Sequence, residues 1–408
     1  MLTAKQQTYL HNCNHRWNIK TGATGSGKSY LDIAVTIPQR IIAARGEGLI
    51  VLIGNTKSTL ERNILTPMRD LYPGLVGGIS QQNIVELFGK RCHALGADNK
   101  KHVSKIQGAT FEYCYGDEVT TWSEEVFQML KSRLRTEHSH FDGTCNPDTP
   151  NHWFKAFLDS DADIYQQSYV IDDGVLPASV VAELKKEYAG TVYYDRFILG
   201  RWVAAEGVVY KHFADNPERY IIDIDQHGDK YNLVKAVIGL DFGGGTSAHA
   251  MCCVGFTRGF QQMIVLDEYR EQDALTPEQL ASDFVDFVRM CRARWFVTDV
   301  YCDSAEQTLI NGLRQAAARE RLGVNVGNSL KKPINERIRA LCVLMGADRF
   351  KINRRCKETI DALRTAMWDS NRFGKDVRLD NGTTNIDSLD ALEYAFERDL
   401  TTLVERWR

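Results

Sequence analysis

Short apolar runs and longer stretches of helical apolar spacing take turns along the first 150 residues. LIVLIGN (49–55) reads as a buried strand, and NIVELF (83–88) with RCHALG (91–96) as a strand pair. SEEVFQMLKSRLR (123–135) repeats its apolar residues with a helical period, with Ser123 placed to cap it and Glu124 and Glu125 in its first turn. This alternation predicts an α/β domain with a largely parallel sheet. From about 150 to 230 the pattern is mixed and helical, as in SVVAELKKEYAGTVYYDRFILGRW (179–202), and a transition follows at AAEGVVYKHFADNPERY (204–220). A second α/β series starts at Leu233. LVKAVIGLDFG, AMCCVGF and QMIVLDEYR read as strands, WFVTDVYCDSAE as another after a helix, and a last helix begins near 387. The pattern therefore predicts two functional halves joined near 205–232, with no internal repeat.

Composition adds few constraints. A hydrophobic share of 43% with 25% charged residues is that of an ordinary globular protein. The net charge of only -3 means that any nucleic-acid surface has to be a local basic patch. No apolar run approaches the length needed to span a membrane, and the N-terminal stretch lacks the features of a signal peptide. The ten cysteines are scattered with no C-x-x-C pair, which predicts reduced thiols in a cytosolic setting.

The first candidate chemistry lies in TGATGSGKSY. Gly22, Gly25 and Gly27 allow the backbone to curl so that its N–H groups face phosphate oxygens. Lys28 supplies a positive charge to the β- and γ-phosphates of ATP, and the Ser29 hydroxyl reaches Mg2+. An ATPase of this kind also needs an acidic pair at a strand end, and FEYCYGDEVTTW offers Asp117 for the Mg2+ site and Glu118 to orient or deprotonate the attacking water. Glu112 and Gly116 interrupt the apolar run before that pair. Gln6 and Gln7 in KQQTYL lie where many such ATPases read the adenine edge. Asn146 in FDGTCNPDTP fits two roles, a γ-phosphate sensor on a neighbouring strand tip or a turn initiator before Pro147.

The second candidate site is a set of carboxylates. Asp241 ends KAVIGLD, Asp303 ends WFVTDVYCD, and Asp387 and Asp390 lie one helical turn apart in NIDSLDALEYAF. Strand tips and a helix converging on one point are what a two-metal nuclease needs, with Mg2+ or Mn2+ suited to hard oxygen ligands. Helix capping is the alternative role for Asp303 and for the Asp387/Asp390 pair. Asp299 is the rival ligand on its strand, and Glu268 is placed to support the site. A phosphate cradle of the sugar-kinase type at GLDFGGGTSAH would need a second glycine-rich aspartate loop, and VYCDSAEQ lacks the glycines.

The order GATGSGKS, YGDEVTTW, TCNP, LGRWVAAEGVVY, GLDFG, CDSAE, DSLDALEYAF resembles the large terminase subunit of tailed bacteriophages and prophages over nearly the whole chain. The resemblance implies a P-loop (RecA/ASCE-like) ATPase domain over 1–204, a linker over 205–231 and an RNase H-like nuclease domain over 232–408. It implies Lys28, Ser29 and Asp117 for ATP and Mg2+, Glu118 as the catalytic glutamate, and Thr144 and Asn146 in the segment that couples hydrolysis to movement. Asp241, Asp303 and Asp387 or Asp390 become nuclease ligands. It further implies double-stranded DNA, a small terminase subunit and a capsid portal as partners, a ring of five subunits, and the host cytoplasm as the location. Two departures stand out. Ala23 and Thr24 occupy positions where relatives often carry an arginine, which leaves Arg133 or Arg135 as finger candidates. Asp387 stands where some relatives use histidine.

For DNA contact, the window from Lys331 to Lys357 holds nine Lys/Arg against Glu336 and Asp348, which suits non-specific phosphate binding. TTLVERWR at the end is a candidate portal-docking segment. A helicase–nuclease of DNA repair is the alternative function, though it would need a second motor-like domain. A non-enzymatic assembly protein with a relic nucleotide site is the other.

Overall fold

The structure is a computed structural model of the chain and describes residues 2–97, 108–174, 176–224, 231–243, 247–273, 275–369, 376–380 and 385–404. Two units are present, one built from 1–181 and 193–204, the other from 182–192, 205–372 and 376–408.

The first unit is organised around a strand that hides its nature in the sequence. β1 (Trp17–Gly22) is buried at every position although it contains Asn18, Lys20 and Thr21. Lys20 is accommodated by an ion pair with Asp32 at 2.7 Å, both side chains fully buried, and by the face of Tyr9 at 3.8 Å. Six further strands complete the sheet: β2 (Leu49–Gly54), β3 (Ile84–Leu87), β4 (Lys90–Gly96), β5 (Phe111–Gly116), β6 (His140–Cys145) and β7 (Ile164–Tyr169). Their order is β3-β4-β2-β5-β6-β1-β7. Only the β3–β4 pairing is antiparallel. The β6 strand is thus inserted between β1 and β5, the ASCE arrangement of P-loop ATPases, and the carboxyl ends of these strands share one edge, where ligands of open parallel sheets bind.

The apparent interruptions in β5 have structural causes. The Glu112 carboxylate is buried and accepts from the backbone N–H groups of Arg45, Gly46 and Glu47, fixing the turn that feeds β2. A Cβ on Gly116 would lie 2.6 Å from the Phe141 ring. The predicted helix after β5 is real but shorter, Glu124–Lys131, and Ser123 sits at its cap position without a capping hydrogen bond. Two helices, from Lys28 to Ala43 and from Lys57 to Leu71, each contain a wide turn (Asp32–Thr36 and Glu61–Leu65) just ahead of a proline, Pro38 or Pro67. The missing proline N–H and the ring's clash with the carbonyl four residues back account for both.

The second unit holds β8 (Ile221–Ile222), β9 (Leu233–Asp241), β10 (His249–Thr257), β11 (Met263–Glu271), β12 (Val297–Cys302), β13 (Asn325–Asn328) and β14 (Phe350–Asn353), in the order β13-β12-β9-β10-β11-β14-β8. The antiparallel meander β9–β10–β11 with β12 and β13 added in parallel beside β9 is the strand order of an RNase H-like fold. Residues on one face of β9, Ile238 and Leu240, pack in a core with Phe284 and Val288 of the helix Pro277–Arg292 and Leu313 of the helix Gln307–Arg319. The opposite face meets the helix Ile386–Phe396.

Gly239 sets how closely that helix approaches. A Cβ there would lie 1.9 Å from the Ala391 carbonyl oxygen. Side chains two apart share a strand face, so Asp241 points to the same side, toward the helix that carries Asp387 and Asp390. Gly239→Ala is therefore expected to destabilise the unit by roughly 2–3 kcal/mol through overpacking. It should also weaken any activity of the carboxylates. Chemical denaturation measures the first effect, and a variant as stable as the parent would contradict the close packing.

All ten cysteines are buried free thiols, and Cys252 and Cys253 serve as packing residues in β10. No described helix is long and apolar enough to cross a membrane.

Candidate functional site

The phosphate loop leaves the tip of β1. Gly22 has φ 125° and a Cβ there would overlap the Tyr169 carbonyl at 1.9 Å, so only glycine permits the loop to lie against β7. Gly27, at φ 84°, opens the helix that starts at Lys28. The Lys28 ammonium is buried and donates to the carbonyls of Gly22 and Ala23 and, at 3.2 Å, to Asn146 Oδ1. Burial lowers its pKa to about 8, against the opposing pull of Cys145, Glu118 and Asp117.

The tip of β6 links this lysine to the acidic pair. The Thr144 hydroxyl donates to Asp117 Oδ1 at 3.1 Å and accepts from the Glu118 N–H at 3.3 Å, and the Asn146 carbonyl accepts from Thr120. Burial, then the neighbouring charge of Glu118, raises the Asp117 carboxyl well above the usual range. Glu118 is exposed and held at φ 49°, a left-handed conformation costly for a residue with a Cβ and concentrated at functional sites. Ser29 is half-buried at the start of the helix.

Gln6 reaches the phosphate loop through its carboxamide. Its Oε1 accepts from Thr3 N–H at 2.9 Å and its Nε2 donates to the Gly27 carbonyl at 3.1 Å, so the carboxamide braces the phosphate loop. Gln7 is exposed on the same helix. Arg133 and Arg135 lie elsewhere. The Arg133 carbonyl pairs with the N–H of Phe111, the first residue of β5, which puts both arginines at the sheet edge opposite Asp117.

In the second unit, Asp241 is nine-tenths buried at the end of β9. The Asp303 N–H donates to the Leu240 carbonyl at 2.9 Å, which sets Asp303 beside it. Asp390 and Asp387 complete the group from the helix. Burial, followed by the charges of Asp390, Asp303 and Asp387 in that order, pushes the Asp241 carboxyl up to about 8. Asn385, not either aspartate, caps the helix by accepting from Ser388 N–H. Asp387 Oδ2 instead accepts from the Ala248 N–H at 3.0 Å and lies 4.0 Å from Arg270, while Asp390 is paired with Arg378 at 2.6 Å. Asp303 Oδ1 contacts the Lys331 ammonium and accepts from Ala305 N–H. Among the described residues no three His, Cys, Asp or Glu side chains form a ready-made cage for an ion. Glycines 244 and 245 lie outside the described residues, as do residues 405–408.

Two rival ligands are accounted for differently. Asp299 pairs across from Val237, well back from the strand tip, and accepts from Thr298 and Asn325. Glu268 accepts from the N–H groups of Glu358 and Thr359 at 2.8 Å each, capping the helix Lys357–Thr365. The basic window also divides. Arg337 is buried against Glu393, and Arg349 is buried with its guanidinium bound to the carbonyls of Phe260, Gln261 and Leu403, so these two serve the core and not a DNA face.

The raised Asp241 carboxyl has a measurable consequence. Its unfolded value is near 4, so between that pH and about 8 the folded chain keeps a proton the unfolded chain has lost, and stability falls as pH rises through that window. Asp241→Asn removes this slope and is expected to raise the Tm at pH 8 by roughly 5 °C in chelator. Calorimetry at pH 6 and pH 8 checks it; a variant melting below the parent at pH 8 would sink the argument.

Two family models match the chain. One, described as terminase large subunit, T4likevirus-type, N-terminal, covers residues 21–214, and the other, described as terminase RNaseH-like domain, covers 238–398. No curated protein sequence matches. Among solved structures, the large terminase from a thermophilic bacteriophage is similar with a TM-score of 0.83 and 21% identity, over 97% of this chain and 99% of that one. The same terminase in complex with ATP-γ-S gives 0.80 at 22% identity, over 97% and 98% of the two chains. Its complex with ADP gives 0.81 at 22%, over 98% and 99%. The structural likeness speaks for the fold, and the two models, matching successive stretches in the expected order, speak for the family: the chain belongs to the terminase large subunits.

Proposed function

We propose that the chain is the motor subunit of viral genome packaging, hydrolysing ATP to drive double-stranded DNA into a procapsid and cutting concatemeric DNA. The observation that carries this is the presence of two chemically distinct sites in one chain. One is a phosphate loop whose lysine is joined through the β6 tip to an acidic pair, and the other is a carboxylate cluster at the tips of β9 and β12.

In the first site, Lys28 and the loop N–H groups around Gly22, Gly25 and Gly27 bind phosphates, Ser29 and Asp117 serve Mg2+, and Glu118 handles the attacking water. Asn146, already in contact with Lys28, is placed to register the γ-phosphate, and Gln6 steadies the loop. The thermophilic phage terminase binds ATP-γ-S and ADP, which supports ATP as the nucleotide here. In the second site the donors are all carboxylate oxygens, buried at Asp241 and half-buried at Asp303, Asp387 and Asp390, and fit Mg2+ or Mn2+. When bound, two such ions would activate water and stabilise the leaving oxygen of a phosphodiester. Asp241, Asp303 and Asp387 or Asp390 would hold them. The family points further to a small terminase subunit, a portal, a five-membered ring and the host cytoplasm.

The test is direct. Purified chain should release phosphate from ATP, faster with duplex DNA, and should linearise plasmid with Mn2+. Cutting without any ATP turnover, alone or on a portal, would argue against a motor. Strand displacement would favour a helicase–nuclease.

A further inference from the structure

Lys331 sits where an ordinary surface lysine would not be built. Its backbone is left-handed, at φ 48°, a strained conformation for a side-chain-bearing residue. What holds it there is Glu397, a fully buried carboxylate at the end of the helix that carries Asp387 and Asp390. That carboxylate accepts from three successive N–H groups, those of Leu330, Lys331 (3.3 Å) and Lys332 (3.1 Å). Upstream, the Ser329 N–H donates to the Cys302 carbonyl at 2.7 Å, which tethers the same loop to the end of β12, one residue before Asp303. Downstream, Pro333 ends it.

The outcome is an ammonium in contact with Asp303 Oδ1, with a side chain that keeps 45% of its surface exposed. Lys331 is also the cation that moderates the burial and carboxylate repulsion felt by Asp241. A lysine wanted only to neutralise Asp303 would need neither a strained backbone nor a buried carboxylate committed to holding three N–H groups. Among the described residues, Arg378 and Arg270 also reach the cluster, at Asp390 and at 4.0 Å from Asp387, and each is held by further protein groups. Arg378 is buried and bound to Asp390 and Glu393, and Arg270 is drawn to Gln272 and Glu358. Lys331, paired with Asp303, still keeps nearly half of its side-chain surface open to solvent, unlike Arg378.

We propose that Lys331 is a substrate-contact residue of the cleavage centre: its ammonium binds a backbone phosphate of duplex DNA beside Asp303, and the Glu397 clamp aims it. The assignment rests on the nuclease reading of the carboxylates. The contact is to phosphate and carries no sequence information. A point charge on a flexible stem suits it, because the phosphate must slide past during translocation and be held only at the cut.

The test is duplex binding by the full chain in Ca2+, followed by fluorescence anisotropy across a salt series. Lys331→Gly removes the ammonium while suiting the left-handed backbone, so folding is preserved. It is expected to make the slope of log K against log salt shallower by about 0.9, with affinity about eightfold lower at 0.1 M salt. Lys331→Arg should restore the slope. Mn2+-dependent cutting by Lys331→Gly should fall about a hundredfold. An unchanged slope in Lys331→Gly overturns the proposal. So does a slope lost equally in the glycine and arginine variants, since the loop's shape and not its charge would then matter. Cutting by the unmodified chain reports separately on the nuclease reading, and the salt slope is read whether or not DNA is cut.

Discussion

Lys28→Ala is expected to lower ATP turnover at least about a thousandfold while leaving Mn2+-dependent cutting intact. The lysine is buried by the β1 loop, and it already contacts Asn146 from the strand that separates it from Asp117. Removing it takes away the charge that would meet the β- and γ-phosphates and leaves the Gly22 and Ala23 carbonyls without their donor. The carboxylates of the second unit do not depend on it. Phosphate release and plasmid linearisation on one preparation measure both activities. If both vanished with the fold intact, the two chemistries would not be separable.

Asp241→Asn produces the mirror image. Cutting is expected to fall at least about a thousandfold, since the amide keeps the shape of the side chain and removes the negative charge that a divalent ion needs. ATP turnover is expected to stay within about twofold of the parent, a change of only about 0.4 kcal/mol in barrier. The same substitution raises the Tm at high pH, because it relieves a buried carboxyl crowded by Asp390, Asp303 and Asp387. A more stable protein that no longer cuts is the signature of strain held for function. A destabilised variant that still cuts would place the chemistry elsewhere.

The parts of the chain legible in the sequence were those where one physical demand acts alone. Phosphate binding needs glycines and a lysine at fixed spacing, and the loop at Gly22–Ser29 shows them. The buried strands β2, β9 and β10 have apolar runs. Other elements were masked by a second demand. The β1 strand carries Lys20 into the core because Asp32 waits there, so its apolar run is broken. At the sheet edge, β7 has half-exposed Tyr165 and Gln167, which blurs the strand signal. The short β14 lies inside a basic stretch, and its Lys351 is drawn to Asp348. In the carboxylate site, spacing alone left Asp387 and Asp390 open to a capping role. Only the tertiary structure shows Asn385 taking that role, Asp387 reaching Ala248 and Asp390 anchored by Arg378. Lys331 was legible only as one cation of a basic window and Glu393 only as a letter of DSLDALEYAF, while Arg378 and Glu397 carry no local motif. Their importance lies in partners from 12 to 183 positions away in the chain.

The helix Ile386–Phe396 and the turn that follows it gather these threads on one rod. It presents Asp387 and Asp390, anchors Arg378 and Arg337 through Glu393, and ends at Glu397, which fixes the Lys331 loop; Gly239 allows it to touch β9. Half of the carboxylate cluster and the loop of Lys331 therefore hang on one helix, facing Asp241 and Asp303 at the strand tips. A slide of about one ångström along that contact would misplace the side chains on the helix together, enough to cost about a hundredfold in rate. In the proposed cleavage reaction, pressure on that one helix would then lower the rate with the chemical groups themselves left untouched.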